Sequence, residues 1–341
     1  MTDTTKAFYE AKNVTFAEIE PSDEYLHPDA RQRETGPELT ETQFLGFNIP
    51  EHDIMAIGYL WHHPNLGVLS GGAWAWRGVK PSSLSCEMFD FLTYVDDGVV
   101  ADDLHDVKLP NSYRSQVIEP LKRLRISYRD DAHGHAFDVE YEALAPPMVL
   151  GTQFHLEQPM LTRGWLELAG TRYEVSGHTV RDRSRGQLRR EAAADMPPLS
   201  WTNGVFGPDL SFGVTAFDTE DRDPEWKGVM SIPGGDPLRA GWICRHGQYS
   251  PVTSVSKRTH RNPVTLLPES VDLSLTTADG FSLDLAGTVT ASTHWRTWHN
   301  MDTLVCLVRW ESQGRITHGD FQDVLYQPYV SRFARHTTIT A

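Results

Sequence analysis

The sequence predicts an all-β protein folded as two antiparallel β-barrels in tandem, with few short helices. Three observations carry this. At 341 residues the chain exceeds what one ordinary core organises, so two domains are expected. Its 26 glycines and 21 prolines suit many short strands joined by turns better than long helices. Alternating apolar segments recur at short intervals, each bounded by a turn signal. Closing each meander into a barrel removes edges that would otherwise pair with other chains.

Taken in order, residues 1–45 carry few periodic apolar positions and read as an N-terminal arm with loop and edge structure. From Cys86 to Val95, Phe89, Phe91, Thr93 and Val95 alternate with Met88, Asp90, Leu92 and Tyr94. Asp97-Gly98 follows and reads as a tight hairpin turn. The window Ser112 to Arg125 is compatible with a helix but is interrupted by Pro120. Leu124, Ile126 and Tyr128 pair with Phe137, Val139 and Tyr141 around the polar turn Arg129 to His135, and Pro146-Pro147 closes that hairpin. Thr152 to Gly186 supplies two more strands around Ala169-Gly170. Residues 187–200 have no period and read as a linker, which divides the chain into domains 1–190 and 191–341. The second half repeats the theme. Leu273 and Leu275 lead into Asp279-Gly280, Phe281, Leu283 and Leu285 leave it, and a strand through Leu304 to Trp310 ends at Gln313-Gly314.

The net charge of −15 argues against nucleic acid and anionic membranes as partners, because an acidic surface repels phosphate. The local exception is Arg181 to Arg190, with five arginines in ten residues. Cys86, Cys244 and Cys306 are far apart and odd in number, which gives neither a disulfide framework nor a metal spacing. The first twenty residues lack an apolar signal core, and no run approaches the roughly 18 apolar residues of a membrane helix. The expectation is a cytoplasmic protein without cofactor, metal or membrane span; a homodimer is left open.

The chemistry-bearing candidates begin at His155-Leu156-Glu157-Gln158. On a strand, His155 and Glu157 share one face, where an imidazole beside a carboxylate serves as an acid–base pair. A solvated strand face would look the same. His178, Val180 and Asp182 alternate on the next strand, and pairing of the two strands would bring Asp182 to His155. A carboxyl group in an apolar barrel stays protonated more readily and can donate a proton. The alternative is an Asp182 salt-bridged to a nearby arginine. Trp74 and Trp76 share a face, as do Tyr94 and Leu92, and aromatic faces stabilise a cation or simply fill a core. His62-His63 point to opposite faces and cannot share a metal, while His133 and His135 fall in a turn. No glycine-rich phosphate loop and no G-x-S-x-G elbow is present.

Three segments then carry a resemblance: Gln153 to Pro159 with its His-x-Glu-Gln core, Gly164 to Gly177, and Arg181-Asp182-Arg183-Ser184-Arg185-Gly186. The stretches Glu24 to Pro28 and Glu41 to Tyr59 add to it. Together they resemble the AttH-type, carotenoid-hydratase-like family of double-lipocalin proteins, the hydroxyneurosporene synthase relatives. That resemblance implies two lipocalin-like barrels and cofactor-independent chemistry on a hydrophobic terpenoid- or steroid-like molecule. An acid protonates an alkene or alcohol, giving a hydratase, dehydratase, cyclase or isomerase. Asp182 would be the proton donor and His155 with Glu157 the pair lining its cavity, while Trp74, Trp76, Tyr94, Trp165, His178 and Arg183 would contact substrate. The chain departs from the family pattern at Arg183 and Arg185, where His and Trp often stand. An inward guanidinium there would suit an anionic group on the ligand. The rival expectation is a non-catalytic carrier of an apolar ligand.

Overall fold

The computed structural model describes residues 14–15, 19–25, 36–100, 103–150, 155–188, 196–223, 227–228, 232, 235–298 and 300–340. The chain divides into two compact units, one comprising Thr15–Arg77 and Leu84–Arg190, the other Met1–Val14, Gly78–Ser83 and Glu191–Ala341.

The first unit is one antiparallel sheet. Its strands are β1 (Val14–Thr15), β2 (Leu39–Ile49), β3 (Ile54–His63), β4 (Val68–Arg77), β5 (Met88–Asp96), β6 (Asp106–Lys108), β7 (Arg114–Glu119), β8 (Arg123–Asp130), β9 (His135–Ala143), β10 (Met148–Leu150), β11 (His155–Leu168) and β12 (Thr171–Leu188). The hydrogen-bonded path runs β5-β4-β3-β2-β12-β11-β9-β8-β7-β6, with β1 and β10 off it. The sheet curls into a half-barrel, and Asp90 on β5 reaches the far end of the path. Its carboxylate accepts from Tyr128 on β8 at 2.8 Å and from Asn111, ahead of β7, at 3.1 Å. Leu45, Phe47, Tyr113, Leu124, Val139, Tyr141, Met160 and Leu166 belong to the core on its inner face.

Several expected elements are there. Leu124, Ile126 and Tyr128 pair with Tyr141, Val139 and Phe137. Ala169 and Gly170 both take positive φ, 49° and 77°, the paired left-handed conformation that closes a two-residue hairpin between β11 and β12. Two expectations fail. Asp97-Gly98 is no hairpin: the chain passes into a 3-10 turn, Asp97–Val100, and β5 and β6 end at opposite edges of the sheet. Asp97 is instead buried against His62, its Oδ2 3.1 Å from Nε2. The arm also ends earlier than expected, because β2 is a central strand between β3 and β12, buried at every position from Leu39 to Ile49. Burial on both faces erases the alternation by which a strand is recognised in sequence.

The second unit is a closed eight-stranded barrel of consecutive neighbours: β13 (Leu199–Gly207), β14 (Leu210–Phe217), β15 (Leu238–Arg245), β16 (Gln248–Arg261), β17 (Pro268–Thr277), β18 (Ser282–Trp298), β19 (Met301–Ser312) and β20 (Arg315–Tyr326). Gln313 and Gly314, at φ 50° and 78°, make the expected tight turn between β19 and β20. Helix α1 (Gln327–Thr340) follows, which the sequence reading did not anticipate. The barrel is filled by its own side chains. Phe212, Val214, Leu273, Leu275, Val308, Trp310 and Phe321 pack together. Beside them lie the buried charged groups of Lys257, Asp218, Arg261 and Asp323. Lys257 Nζ is 2.6 Å from Asp218, and Arg261 holds Asp323 through two hydrogen bonds. Among the described residues no helix is long and apolar enough to cross a membrane.

Candidate active site

The β11–β12 ladder sets Glu157 opposite Asp182 and His155 opposite Ser184. Residues opposed in an antiparallel pair share a face with Cβ atoms about 5 Å apart, so these four side chains form one block. His155 Nδ1 lies 2.7 Å from Ser184 Oγ, and Nε2 lies 3.3 Å from Glu157 Oε1. Ser184 and Glu157 are buried, while His155 and Asp182 are half-buried.

The same row continues across the sheet. Asp182 pairs with Phe44 on β2, Phe44 with Tyr59 on β3, Tyr59 with Gly72 on β4, and Gly72 with Phe91 on β5. Trp74 and Trp76, two and four residues beyond Gly72, therefore share this face. Their rings form a chain of contacts leading away from Asp182. Centroid separations are 6.4 Å for Phe44–Tyr59, 6.2 Å for Tyr59–Phe91 and 6.2 Å for Phe91–Phe89. The chain ends with 5.5 Å for Phe89–Trp74 and 4.7 Å for Trp74–Trp76. The Trp74 indole N–H donates to Cys86 Sγ at 3.2 Å.

The arginines beside Asp182 in sequence point to the opposite face. Arg181 is fully buried and donates to both Glu24 oxygens, at 2.6 and 2.8 Å, and to Gln158 Oε1. The guanidinium of Arg183 is also buried and donates to the carbonyl oxygens of Glu24 and Tyr25. Arg185 Nη2 lies 2.8 Å from Asp23. These contacts hold a short 3-10 segment, Pro21–Glu24, against the sheet. Burial pulls the Arg183 pKa down, with the charges of Glu41 and Glu24 opposing it. An inward-pointing Arg183 is thus met by backbone carbonyls of the chain itself.

Of the expected contact residues, Trp74 and Trp76 lie on the face of Asp182. His178 is four residues along β12, about 13 Å from Asp182 at strand rise, and burial lowers its pKa. Its carbonyl accepts from Asn48 Nδ2 at 3.1 Å. Tyr94 must be removed from the set. The β4–β5 register slips between Leu69 and Gly71, Tyr94 takes a φ of 59° in that bulge, and its side chain is 79% exposed. Trp165 is eight residues along β11 from Glu157, about 26 Å away, with the Arg172 guanidinium 4.0 Å from its ring centroid. Arg183 leaves the set as well, because it occupies the other face. The sequence reading missed Ser184, Phe44, Tyr59, Phe89 and Phe91 as site residues. Phe89 and Phe91 do show as alternating apolar positions, but pairing register is what puts them on the sheet face that bears Asp182. Among the described residues no group of three or more His, Cys, Asp or Glu side chains could hold a metal ion.

A model for a domain of unknown function, DUF7064, matches residues 20–323. The chain belongs to that family. Its fold is shared with several solved structures. An AttH-type protein of Nitrosomonas europaea aligns at 14% identity with a TM-score of 0.55, over 93% of this chain and 99% of that one. Kievitone hydratase of Nectria haematococca aligns at 12% identity and a TM-score of 0.52, over 94% and 98%. CghA aligns at 9% identity and a TM-score of 0.50, over 93% and 97%. These likenesses establish the double-lipocalin architecture expected from the resemblance. No curated protein matches the chain in sequence.

Proposed function

We propose that the protein is a cofactor-independent enzyme that protonates an alkene or alcohol of a hydrophobic small molecule, of terpenoid or steroid type. Hydration, dehydration, cyclisation and isomerisation all proceed from the resulting cation. The observation that carries this reading is the single row in which Glu157 and Asp182 adjoin Phe44 and Tyr59. Two carboxyl groups opposed across a ladder do better sharing one proton than bearing two charges. Glu157 has His155 Nε2 as its partner at 3.3 Å, so Asp182 is the carboxyl group we assign as proton donor. Asp182 then gives that proton to carbon, and the faces of Phe44 and Tyr59 shelter the cation, at about 1–2 kcal/mol per desolvated ring. In the hydration direction water attacks the cation and its surplus proton returns to the block of Asp182, Glu157 and His155. A hydratase among the proteins of this fold supports the reading.

The test is Asp182→Asn against a panel of isoprenoid alkenes and tertiary alcohols. Turnover should fall by roughly 10²–10⁴-fold, the usual contribution of a positioned acid, while binding persists. Unchanged turnover in that variant sinks the mechanism. Tight binding with no turnover in the unmodified protein would instead make it a carrier.

A further inference from the structure

The Ser184 hydroxyl is completely buried, and it meets the one ring nitrogen of His155 that does not face Glu157. Its place is fixed by the ladder rather than by a loop, because Ser184 pairs with His155 on β11 and with Thr42 on β2. The register between β12 and β2 slips immediately afterwards, between Ser184 and Gln187, and Gly186 takes a φ of 66° there. Ser184 is thus the last regularly paired residue before a bulge. A hydroxyl has a property no other small side chain has: it donates with its hydrogen or accepts with a lone pair, as its rotor turns.

We infer that Ser184 is a positioning residue that lets His155 gain and lose a proton while Nδ1 keeps a hydrogen-bond partner. In the neutral tautomer protonated at Nε2, Nε2–H donates to Glu157 and Nδ1 accepts from the Ser184 hydroxyl. In the imidazolium the hydroxyl turns and accepts from Nδ1–H while Nε2–H still faces Glu157, and it stays so turned in the neutral tautomer left when Nε2 gives up its proton. Asp182 stands on the same face beside Glu157, Arg181 and Arg183 occupy the opposite face, and the β10 residue across from His155 is the apolar Leu150. In the proposed reaction, on which the functional part of this inference rests, His155 is the store from which Asp182 is reloaded. After Asp182 has protonated carbon, the Nε2 proton passes to Glu157 and on to Asp182, leaving neutral His155 with its proton on Nδ1, still donated to the Ser184 hydroxyl. The proton released when water adds to the cation restores the imidazolium.

The experiment is an imidazole ¹⁵N NMR titration of His155 in the ligand-free full-length protein, which needs no substrate. A hydrogen bond to a charged group is worth more than one to a neutral group, so losing the hydroxyl weakens the imidazolium most. Ser184→Ala should lower the proton affinity of His155 about five- to tenfold. Ser184→Thr, which keeps the hydroxyl, should restore it. Should Ser184→Ala fail to fold, Ser184→Cys keeps nearly the same volume with a far weaker partner and should show the same drop. An unchanged titration in the folded variant overturns the inference. A turnover arm separates it from the reaction itself: Ser184→Ala should lower kcat at least tenfold with little change in KM, and Ser184→Thr should recover it. A shifted titration in a protein whose Asp182→Asn turnover is unchanged would leave Ser184 as the partner of His155 and remove the reaction.

Discussion

A buried carboxylate reports on its surroundings most directly through pH, and Asp223 in the second unit does so. It accepts from the backbone N–H groups of Thr219 and Thr259, at 3.2 and 3.1 Å, and is fully buried. Burial pushes its pKa up to about 7, and the charge of Asp218 adds to the rise. Lys257, Arg261 and the Thr219 N–H oppose that rise without cancelling it. The unfolded chain titrates near 3.8, so between these values the folded state holds a proton that the unfolded state has lost. The stabilisation is therefore complete below about pH 4 and disappears as pH rises through about 7. Between pH 5 and 8 this one group should remove about 2–3 kcal/mol of stability. Urea midpoints at the two pH values measure it, and Asp223→Asn should flatten the difference. An equally steep decline in that variant would assign the dependence to other groups. None of this was legible in the sequence. Asp223 sits in an acidic, turn-like stretch, Asp218 to Asp223, that looks solvated, and only closure of the barrel buries it among Asp218, Lys257 and Arg261.

Strands and their attachments form the next scale, and β12 is the instructive case. Its sequence Arg181-Asp182-Arg183-Ser184-Arg185 alternates charge with small polar groups, a pattern that suggests a solvated edge. In the folded chain it is a central strand whose two faces do different work. Arg181 and Arg183 anchor residues 20–25, and Asp182 and Ser184 adjoin Glu157 and His155. Alternation was legible, and it correctly separates Asp182 from the arginines. The identity of their partner was not, because Glu24 lies 157 residues away. Glu24 also accepts from the Leu121 N–H at 2.9 Å, so its removal orphans Arg181 and a backbone donor together. Glu24→Ala should cost about 3–5 kcal/mol, as expected when one partner of a buried ion pair is removed. A denaturant midpoint shifted by less than a quarter of that would mean the segment is held by Arg183 and Arg185 alone. Turn chemistry behaved similarly. Ala169-Gly170 and Gln313-Gly314 adopt paired positive φ values and close hairpins, whereas Asp97-Gly98 yields to the burial of Asp97 against His62.

For the molecule as a whole, the two units share a strand-rich architecture but treat their interiors differently. The closed barrel is packed with Phe212, Trp310 and Phe321, and its buried charges Lys257, Asp218, Arg261 and Asp323 pair with one another. Little there would recognise an apolar guest, since a ligand would have to displace both a packed core and paired charges. The first unit carries its aromatic chain, Phe44 to Trp76, on the sheet face that also bears Asp182, away from the inner core. Hydrogen exchange read by mass spectrometry, with and without a C15 to C20 isoprenoid alcohol, should locate the guest. Slowed exchange is expected chiefly in β2, β3, β4, β11 and β12, whose amides underlie the row from Glu157 to Gly72. Protection confined to β13–β20 would move the ligand to the barrel and detach it from Asp182. The acid and the aromatic chain would then be separate features of one sheet, and the proposed chemistry would lose its substrate.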